Sequence, residues 1–261
     1  MANGLIRGLI AKGTRPENIW ASDLDESKLK LLSQDCGICT GNNSDIASNA
    51  NVIVLAVKPQ VMRDVCKALA ADLDRRGALL VSIAAGITTA HLESWFGESA
   101  AIVRCMPNTP ALVGMGASGL FANARVTEEQ KLLAQGIIST VGFATWVDAD
   151  SDIDIVTAVS GSGPAYFFLF MEAMQATAKE MGLSEDLARA LTYHTAAGAA
   201  ALAQYSEDDI ATLRRNVTSP GGTTEQAILQ FEDGDLRGLV AKALKAARTR
   251  SVELAEETDS T

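Results

Sequence analysis

The fold is decided by the run Val52-Ile53-Val54-Leu55-Ala56-Val57-Lys58-Pro59-Gln60, which is entirely apolar until it stops at a lysine and a proline. A strand that is buried on both faces has such a continuous apolar run, and it is typical of a parallel sheet covered by helices on both sides. Lys58 then lies at the carboxyl edge of the sheet, where open α/β sheets bind ligands. A solvated lysine that merely ends the strand explains this residue equally well.

The first part of the chain contains several more apolar runs of this kind. From Met1 to about Asp150, short apolar runs alternate with helical patterns, which predicts parallel strands joined by crossover helices, the α/β class. The predicted strands are Asn18–Ala21, Val52–Ala56, Ala78–Ile83, Ala101–Cys105 and Phe143–Val147. The predicted helices between them are Pro59–Ala71, Thr88–Phe96 and Thr127–Thr140.

After the acidic stretch Asp148–Asp154, strand-like runs stop and helical patterns continue to the end. We therefore divide the chain into residues 1–150 and an all-helical part, residues 151–261. The predicted helices are Pro164–Met181, Glu185–Tyr205, Thr224–Phe231 and Asp235–Glu257. A further predicted helix follows Tyr205 and is capped by Ser206 with Asp209. Because Thr195–Ala203 is rich in Ala and Gly, another helix approaches it closely, and we expect that helix to come from a second subunit.

Composition excludes several classes of function. A net charge of −10 repels phosphate backbones, so nucleic acid is not an expected partner. The four cysteines Cys36, Cys39, Cys66 and Cys105 are too scattered for a disulfide framework, which indicates a reducing compartment and a cytoplasmic protein. Cys36 and Cys39 form a C-x-x-C without a second ligand pair, so we expect no metal. No run reads as a membrane span or a signal peptide.

Catalytic side chains of the common classes are missing. The two histidines, His91 and His194, have no nucleophile pattern beside them, and we interpret His91 as a surface residue and His194 as a buried packing residue. Glu172 lies in an apolar helix, and we interpret it as a residue that makes a structural hydrogen bond and not as a general base. The remaining possibility is chemistry carried by a cofactor.

Two glycine-rich stretches run into predicted helix starts. They are Ser160-Gly161-Ser162-Gly163-Pro164-Ala165-Tyr166 and Ser219-Pro220-Gly221-Gly222-Thr223-Thr224, and in the second Thr223 and Gln226 have the spacing of a capping box. Free N–H groups at the positive end of a helix dipole bind a carboxylate or phosphate without a charged side chain. Each stretch therefore indicates either a simple helix cap or an anion site.

Three further strand ends are candidates for ligand contacts. Ile19–Asp23 ends in polar residues, where a dinucleotide fold reads the adenosine ribose. Val81–Gly86 ends in small residues that let a flat ring approach the backbone. Arg104–Pro110 carries two prolines that stiffen its course, which suits either a ligand-positioning loop or a structural turn.

These motifs together resemble those of pyrroline-5-carboxylate reductases. The resemblance rests on Ala56–Pro59, Arg104–Pro110, Ala158–Tyr166 and Val217–Thr224, which occur in that order and at that spacing. It extends from Met1 to the C-terminal helix. It implies a Rossmann-like dinucleotide-binding domain in residues 1–150, followed by a helical substrate-binding and dimerisation domain in residues 151–261.

The resemblance also implies a reaction and its site residues. The reaction is reduction of 1-pyrroline-5-carboxylate to L-proline, with NADPH as the cofactor and NADH as an alternative, in a homodimer or a larger ring of dimers. Thr224 is the implied catalytic hydroxyl, and the substrate contacts are Ser219, Gly221, Gly222, Thr223 and Thr224. The implied cofactor contacts are Met1, Ser22, Asn43, Ala56, Val57, Lys58, Pro59, Ile83, Ala84 and Ala85.

The start of the chain departs from the family pattern. Members begin with a strand and a Gly-x-Gly-Asn-Met-Ala turn, of which only Met1-Ala2 is present here. We expect that this strand and turn, roughly ten residues from their usual length, are missing upstream, and that cofactor binding by the chain as written is impaired.

Two other functions stay open on the sequence. A β-hydroxyacid-dehydrogenase-like oxidoreductase would place a lysine early on the first long helix of the second domain, where only the distant Lys179 is available. A catalytically impaired helical dimer or binding module is the second alternative, because the phosphate-binding turn is incomplete.

Overall fold

A computed structural model describes residues 1–73 and 77–259. The chain forms two compact units, one made of Met1–Ser162 together with the chain from Ala246 onward, the other of Gly163–Lys245. The first unit thus extends beyond the expected boundary at residue 150. One reason is close packing, since a Cβ on Gly119 would lie only 2.6 Å from Val156 Cγ2. The expected division of function at residue 150 stays a prediction.

The first unit alternates strands and helices. In chain order it contains α1 (Ala2–Ala11), β1 (Trp20–Ala21), α2 (Glu26–Cys36), β2 (Cys39–Thr40), α3 (Asn43–Asn49), β3 (Val52–Leu55), α4 (Pro59–Leu73), β4 (Leu79–Ser82), α5 (Thr89–Phe96), β5 (Ile102–Met106), β6 (Gly116–Ala122), α6 (Glu128–Ile138), β7 (Gly142–Trp146) and α7 (Asp152–Val156), and a π-helical turn follows at Thr157–Gly161. The predicted α/β class is confirmed.

The main sheet has five strands in the order β3-β4-β5-β6-β7. Strands β3, β4 and β5 are parallel, β6 is antiparallel to β5, and β7 is parallel to β6. The sequence interpretation missed β6, because its residues Gly-Ala-Ser-Gly-Leu-Phe-Ala do not form an apolar run. It also missed the two-residue strand β2.

Strands β1 and β2 form a separate parallel pair. In the described part of the chain, no strand is hydrogen-bonded to both this pair and the five-stranded sheet. Strand β3 is therefore an edge strand, and Val52 and Val54 are only partly buried although the run that contains them is apolar throughout.

Helices cover the main sheet on both faces. Strand β4 is buried at all its positions, as a continuous apolar run predicts. Its alternate side chains enter two different cores. Leu79 and Val81 pack in a cluster with Leu5, Val103, Cys105, Leu120 and Ile138, whereas Leu80 packs in a cluster with Ile53, Leu55, Met62, Ile87, Leu92 and Ile102.

The second unit is helical. It contains α8 (Gly163–Glu180), α9 (Glu185–Tyr205), α10 (Ile210–Asn216), α11 (Thr223–Asp233) and the first part of α12 (Leu236–Asp259). The bounds of α9 agree with the prediction, and Ser184 Oγ accepts the N–H of Leu187 as its cap. The expected cap of α10 by Ser206 is wrong: Asp209 alone is the N-cap residue, and its carboxylate accepts the N–H of Thr212 at 2.6 Å.

One helical run contradicts the expectation that nothing in the sequence reaches membrane-span length. Among the described residues, residues 152–180 are long and apolar enough to cross a bilayer by length and composition. Such a run is weak evidence for a membrane span, because helices that pack in the cores of water-soluble proteins meet the same criteria.

A buried ion cluster fastens β5 to α7 and α12. The Arg104 side chain is 2% exposed, and its guanidinium lies 2.7 Å from Asp150 Oδ2 and 3.3 Å from Asp154 Oδ1. Asp154 also accepts a hydrogen bond of 2.8 Å from the Ser251 hydroxyl of α12. The buried Arg104 Nε has no hydrogen-bond partner within residues 1–73 and 77–259, so the ion pairs of its terminal nitrogens are what offset the high free-energy cost of removing this charge from water.

We expect Arg104→Met to lower the free energy of unfolding by about 3 kcal/mol, because it leaves Asp150 and the Asp154 carboxylate of α7 without their cation. Urea unfolding measures the loss. Arg125→Met is the matched control: Arg125 is exposed, so its loss should stay below about 0.5 kcal/mol. Equal losses in the two variants would mean that the cluster contributes nothing beyond a surface ion pair.

Candidate functional site

The carboxyl ends of β3, β4 and β5 meet at one edge of the sheet, because the three strands are parallel. The predicted cofactor residues Ala56–Pro59 follow β3, and Ile83–Ala85 follow β4. Ala56, Val57 and Lys58 are exposed, whereas Ala84 is buried. Small side chains at this edge leave the backbone accessible to a flat ring.

A cleft of about 700 Å³ opens beside this edge. It brings together three of the predicted cofactor residues, Ser22 after β1, Asn43 at the start of α3 and Val57 after β3. The Ser22 hydroxyl donates a hydrogen bond of 2.8 Å to Asn43 Oδ1. The structure does not place Met1, Lys58 or the residues Ile83–Ala85 in its lining.

Sequence reasoning missed several residues of this cleft. Thr40, Gly41 and Asn42 line it because β2 is parallel to β1 and ends at the same edge. Lys30 of α2 also lines it, together with the carboxylates of Asp23 and Glu26. These residues could have been found only by predicting that β1 pairs with β2. Strands of two residues are too short to give a recognisable sequence pattern.

Two helices begin at this cleft. Asp25 caps α2, and hydrogen bonds from the backbone and side chain of Lys28 lower the pKa of its carboxyl. Asn42 caps α3 in a capping box with Asp45. These caps fix the helix starts beside Ser22 and Asn43, so both polar side chains are held by ordered backbone.

The turn before α11 has a different geometry from the one expected. Gly222, not Thr223, is the N-cap residue, and Gly221 adopts φ +72°, which favours glycine. The N–H of Gly222 bonds to the carbonyl of Ser219 at 3.0 Å. The N–H of Gly221 donates to the Glu225 carboxylate at 2.7 Å. The predicted capping box of Thr223 with Gln226 is therefore wrong.

One backbone donor of this turn, the N–H of Gly221, is already bonded to a carboxylate of the chain itself. Thr223 and Thr224 occupy the first turn of α11, where backbone N–H groups have no partner inside the helix. Thr224 is half-buried and Thr223 is exposed. The predicted substrate residues Ser219 to Thr224 thus lie together in one turn, with Glu225 in contact with it.

The second predicted anion site, at Ser160–Tyr166, does not have the expected geometry. The chain is already helical before Gly163, because α7 and the π-helical turn precede it. The N–H of Ser162 bonds to the carbonyl of Thr157 at 2.8 Å, as a π-helical turn requires. The Ser162 N–H of this stretch is therefore engaged within the turn, and Pro164 has no N–H to offer.

Both histidine expectations are wrong. His91 is 6% exposed, and its Nδ1 accepts the N–H of Thr88 in the capping box of α5, while its ring stacks on Trp95 at 5.8 Å. His194 is exposed on α9. Glu172 is also exposed, and it lines a shallow cleft of the helical unit with Lys179 and Glu185.

Cysteine chemistry has little support in the geometry. Burial raises the pKa of the Cys66 thiol and of the Cys105 thiol to about 12 in each case. Cys36 and Cys39 are half-buried. Among the residues that the structure describes, no group of three or more His, Cys, Asp or Glu side chains has the arrangement of a metal site.

The comparisons with known proteins cover nearly the whole chain. The family model described as pyrroline-5-carboxylate reductase dimerisation matches residues 150–254, and one described as NADP oxidoreductase, coenzyme F420-dependent, matches residues 1–86. A pyrroline-5-carboxylate reductase of Pseudomonas aeruginosa is 50% identical over 258 residues, which cover 98% of this chain and 94% of the relative. That of Vibrio alginolyticus is 45% identical, covering 97% and 94%.

Solved structures agree with these relatives. A pyrroline-5-carboxylate reductase of Coxiella burnetii superposes with a TM-score of 0.94 at 46% identity, covering 97% of this chain and 94% of that one. The Plasmodium falciparum pyrroline carboxylate reductase with NADP bound superposes with a TM-score of 0.85 at 29% identity, covering 97% and 93%.

We expect the thiol reagent DTNB to modify Cys36 and Cys39 in the native protein at pH 8, and to reach Cys66 and Cys105 only on unfolding. At a pKa of about 12, roughly one buried thiol in 10,000 is ionised at that pH. Release of thionitrobenzoate measures both phases. The double variant Cys36→Ser/Cys39→Ser should lose the native phase entirely, and persistence of that phase would contradict the assignment.

Relatives that are 45–50% identical cover 97–98% of the chain that forms these strand ends, this cleft and this glycine turn. The chain belongs to the pyrroline-5-carboxylate reductase family.

Proposed function

We propose that this chain reduces 1-pyrroline-5-carboxylate to L-proline, with NADPH as the hydride donor and NADH as an alternative. The main support is family membership at 50% identity over 98% of the chain. The C=N bond of the substrate is the group reduced, so the enzyme is an NAD(P)H-dependent oxidoreductase. No side chain of the protein changes its oxidation state in this reaction, which suits a chain without a nucleophile or metal pattern.

The cleft residues fit the adenosine end of such a cofactor. Ser22 and Asn43 form a hydroxyl and amide pair at 2.8 Å, close to the exposed Val57. Lys30 supplies a cation for a phosphate, whereas Asp23 and Glu26 in the same lining oppose one. We propose that Met1, Ser22, Asn43, Ala56–Pro59 and Ile83–Ala85 contact the cofactor. When bound, the nicotinamide supplies a hydride for an unsaturated carbon.

The Ser219–Thr224 turn is the proposed substrate site. The backbone N–H groups of Thr223 and Thr224 lie at the positive end of α11, where they stabilise a carboxylate. The N–H of Gly221 is bonded to Glu225, so a substrate carboxylate that uses this donor must displace the Glu225 side chain. We propose that Ser219, Gly221 and Gly222 shape this turn around the substrate carboxylate.

Thr224 is the proposed catalytic residue. Its hydroxyl lies in the same helical turn as the carboxylate donors and is half-buried. A hydrogen bond from this hydroxyl to the ring nitrogen orients the C=N bond. It also stabilises the nitrogen as that atom takes up a proton and the carbon receives the hydride. The geometry of the ring is then fixed at two points, the carboxylate and the nitrogen.

We further propose a homodimer, possible assembly of dimers into a ring, and a cytoplasmic location. The family model for dimerisation matches residues 150–254. Helices α8 and α9 expose large apolar side chains on the isolated chain, including Phe167, Phe168, Leu169, Leu191 and Tyr193. Exposed apolar patches of this kind mark protein interfaces.

A second candidate is a catalytically impaired helical dimer or binding module. The observation that favours it is the separation of the β1–β2 pair from the five-stranded sheet, which leaves β3 as an edge strand beside the proposed cofactor cleft. Oxidation of NADPH with 1-pyrroline-5-carboxylate distinguishes the two candidates. Turnover by the chain supports the reductase, and its absence in a folded dimer supports the second candidate.

We expect Thr224→Ala to lower kcat by about 100-fold and to leave NADPH affinity nearly unchanged, because the lost hydroxyl contacts the reacting nitrogen only. Steady-state kinetics and NADPH fluorescence measure the two quantities. Thr224→Ser should restore most of the rate because it keeps the hydroxyl. The half-buried Thr212 of α10 provides the control, and Thr212→Ala should keep normal turnover. A normal rate in Thr224→Ala contradicts the assignment.

We expect Phe167→Glu to convert the dimer to monomers in sedimentation velocity, because a charge cannot be buried in an apolar interface without a partner. Phe143→Glu on the edge strand β7 is the control with the same substitution. Phe167 is 68% and Phe143 is 67% exposed on the single chain, so solvent exposure does not distinguish them. Dissociation by Phe143→Glu alone would place the interface on the first unit.

A further inference from the structure

Asn108 joins two segments of the first unit with one buried side chain. Its Oδ1 accepts the N–H of Ala117 at 2.9 Å, and its Nδ2 donates to the carbonyl of Ser160 at 3.0 Å. Asn108 is 8% exposed. The first bond holds the start of β6, and the second holds the π-helical turn.

The carbonyl of Ser160 cannot accept the hydrogen bond from four residues later that an α-helix would give it. In an α-helix this carbonyl accepts the N–H of the residue four positions later, which here is Pro164, a residue without an N–H. The Asn108 amide supplies a hydrogen bond in place of that missing donor. Ser160 is partly buried, and the hydrogen bond from the buried Asn108 amide gives its carbonyl a partner within the protein.

The same turn is packed tightly against the end of β5. A Cβ on Gly161 would lie 2.6 Å from Met106 Cε, so the methionine side chain rests directly on the glycine backbone. Met106 is the last residue of β5, two positions before Asn108. The Met106 contact and the Asn108 hydrogen bond thus both connect this turn to the end of β5.

Met106 lies at the carboxyl edge that we propose for the cofactor. Ser82 of β4 pairs with Arg104 of β5, so Ile83 and Ala84 run beside Cys105 and Met106. A shift of the π-helical turn would be transmitted through Met106 to this edge. Displacements of about 1 Å at a reacting group can lower turnover by about 100-fold.

We propose that Asn108 is a positioning residue for hydride transfer: by supplying the donor that Pro164 lacks, it fixes the π-helical turn and Met106 against the carboxyl edge. The inference rests on the proposed function, since it needs the edge to face the reacting end of the cofactor. Asn108 acts through the π-helical turn and Met106, without contacting the cofactor or the substrate.

Asn108→Asp isolates the bond to Ser160. The carboxylate keeps an acceptor for the Ala117 N–H but has no donor for the Ser160 carbonyl. We expect kcat to fall by about 30-fold, with little change in the NADPH dissociation constant and a larger deuterium isotope effect from 4-deuterated NADPH, because hydride transfer becomes rate-limiting.

Asn123→Asp is the matched control. Asn123 is also 8% exposed, and its Nδ2 donates to the Glu93 carboxylate and the Ala100 carbonyl. It lies at the amino end of β5, where its Oδ1 accepts the N–H of Ile102. We expect Asn123→Asp to lower the melting temperature at least as much as Asn108→Asp does, with kcat unchanged.

Pro164→Ala provides the decisive background, because it restores an N–H four residues after Ser160. If Asn108 substitutes for that donor, Asn108→Asp should lower kcat much less in the Pro164→Ala chain than in the parent chain. If Asn108→Asp does not fold in the parent chain, it should fold in the Pro164→Ala chain. The proposal is overturned if Asn108→Asp loses the same fraction of kcat in both backgrounds, or fails to fold in both. It is also overturned if Asn123→Asp loses as much kcat as Asn108→Asp.

The parent chain separates this inference from the proposed function. A parent that does not oxidise NADPH with 1-pyrroline-5-carboxylate removes the proposed function and the positioning role with it. An active parent with normal kcat in Asn108→Asp removes the positioning role alone.

Discussion

Parallel hydrogen bonding between β3, β4 and β5 is the constraint on which the rest of the structure depends. It brings three carboxyl ends to one edge, so residues far apart in sequence, such as Val57, Ala84 and Met106, end up beside one another. Burial of both faces of β4 makes this pairing rigid, because its side chains belong to two separate cores. A surface built this way needs few charged groups of its own, since backbone and small side chains define it.

Polar groups buried near this edge restrict how the surrounding segments can move. Arg104 binds two carboxylates below α7, and Asn108 binds the π-helical turn that follows it. Both side chains come from the same strand and the loop after it. One short segment, residues 104–108, thus carries the charge cluster, the methionine contact with Gly161 and the amide bond to Ser160. Buried polar contacts favour one arrangement of these segments because every alternative leaves a partner unsatisfied.

Sequence reasoning predicted the elements whose signals are local. The bounds of α9 follow from Ser184 as its cap, and β4 from its apolar run. It failed where tertiary contacts decide: β6 is a strand because it pairs with β5 and β7, and the Ser160–Tyr166 stretch is preceded by helix. In the candidate site, the polar end of Ile19–Asp23 indicated the position of Ser22, whereas Asn43 was named only through family resemblance. The contact of Glu225 with Gly221 has no sequence signal, because glutamate in a first helical turn is common.

Helix α12 returns from the helical unit to the first one. Ser251 bonds to Asp154 in the charge cluster, and Leu254 covers Gly86 so closely that a Cβ there would lie 3.2 Å from Leu254 Cβ. In chain order the helical unit is therefore inserted into the first unit. During synthesis, α12 is made after the whole helical unit, so the first unit receives this helix late and the loop at Gly86 stays uncovered until Leu254 has been synthesised.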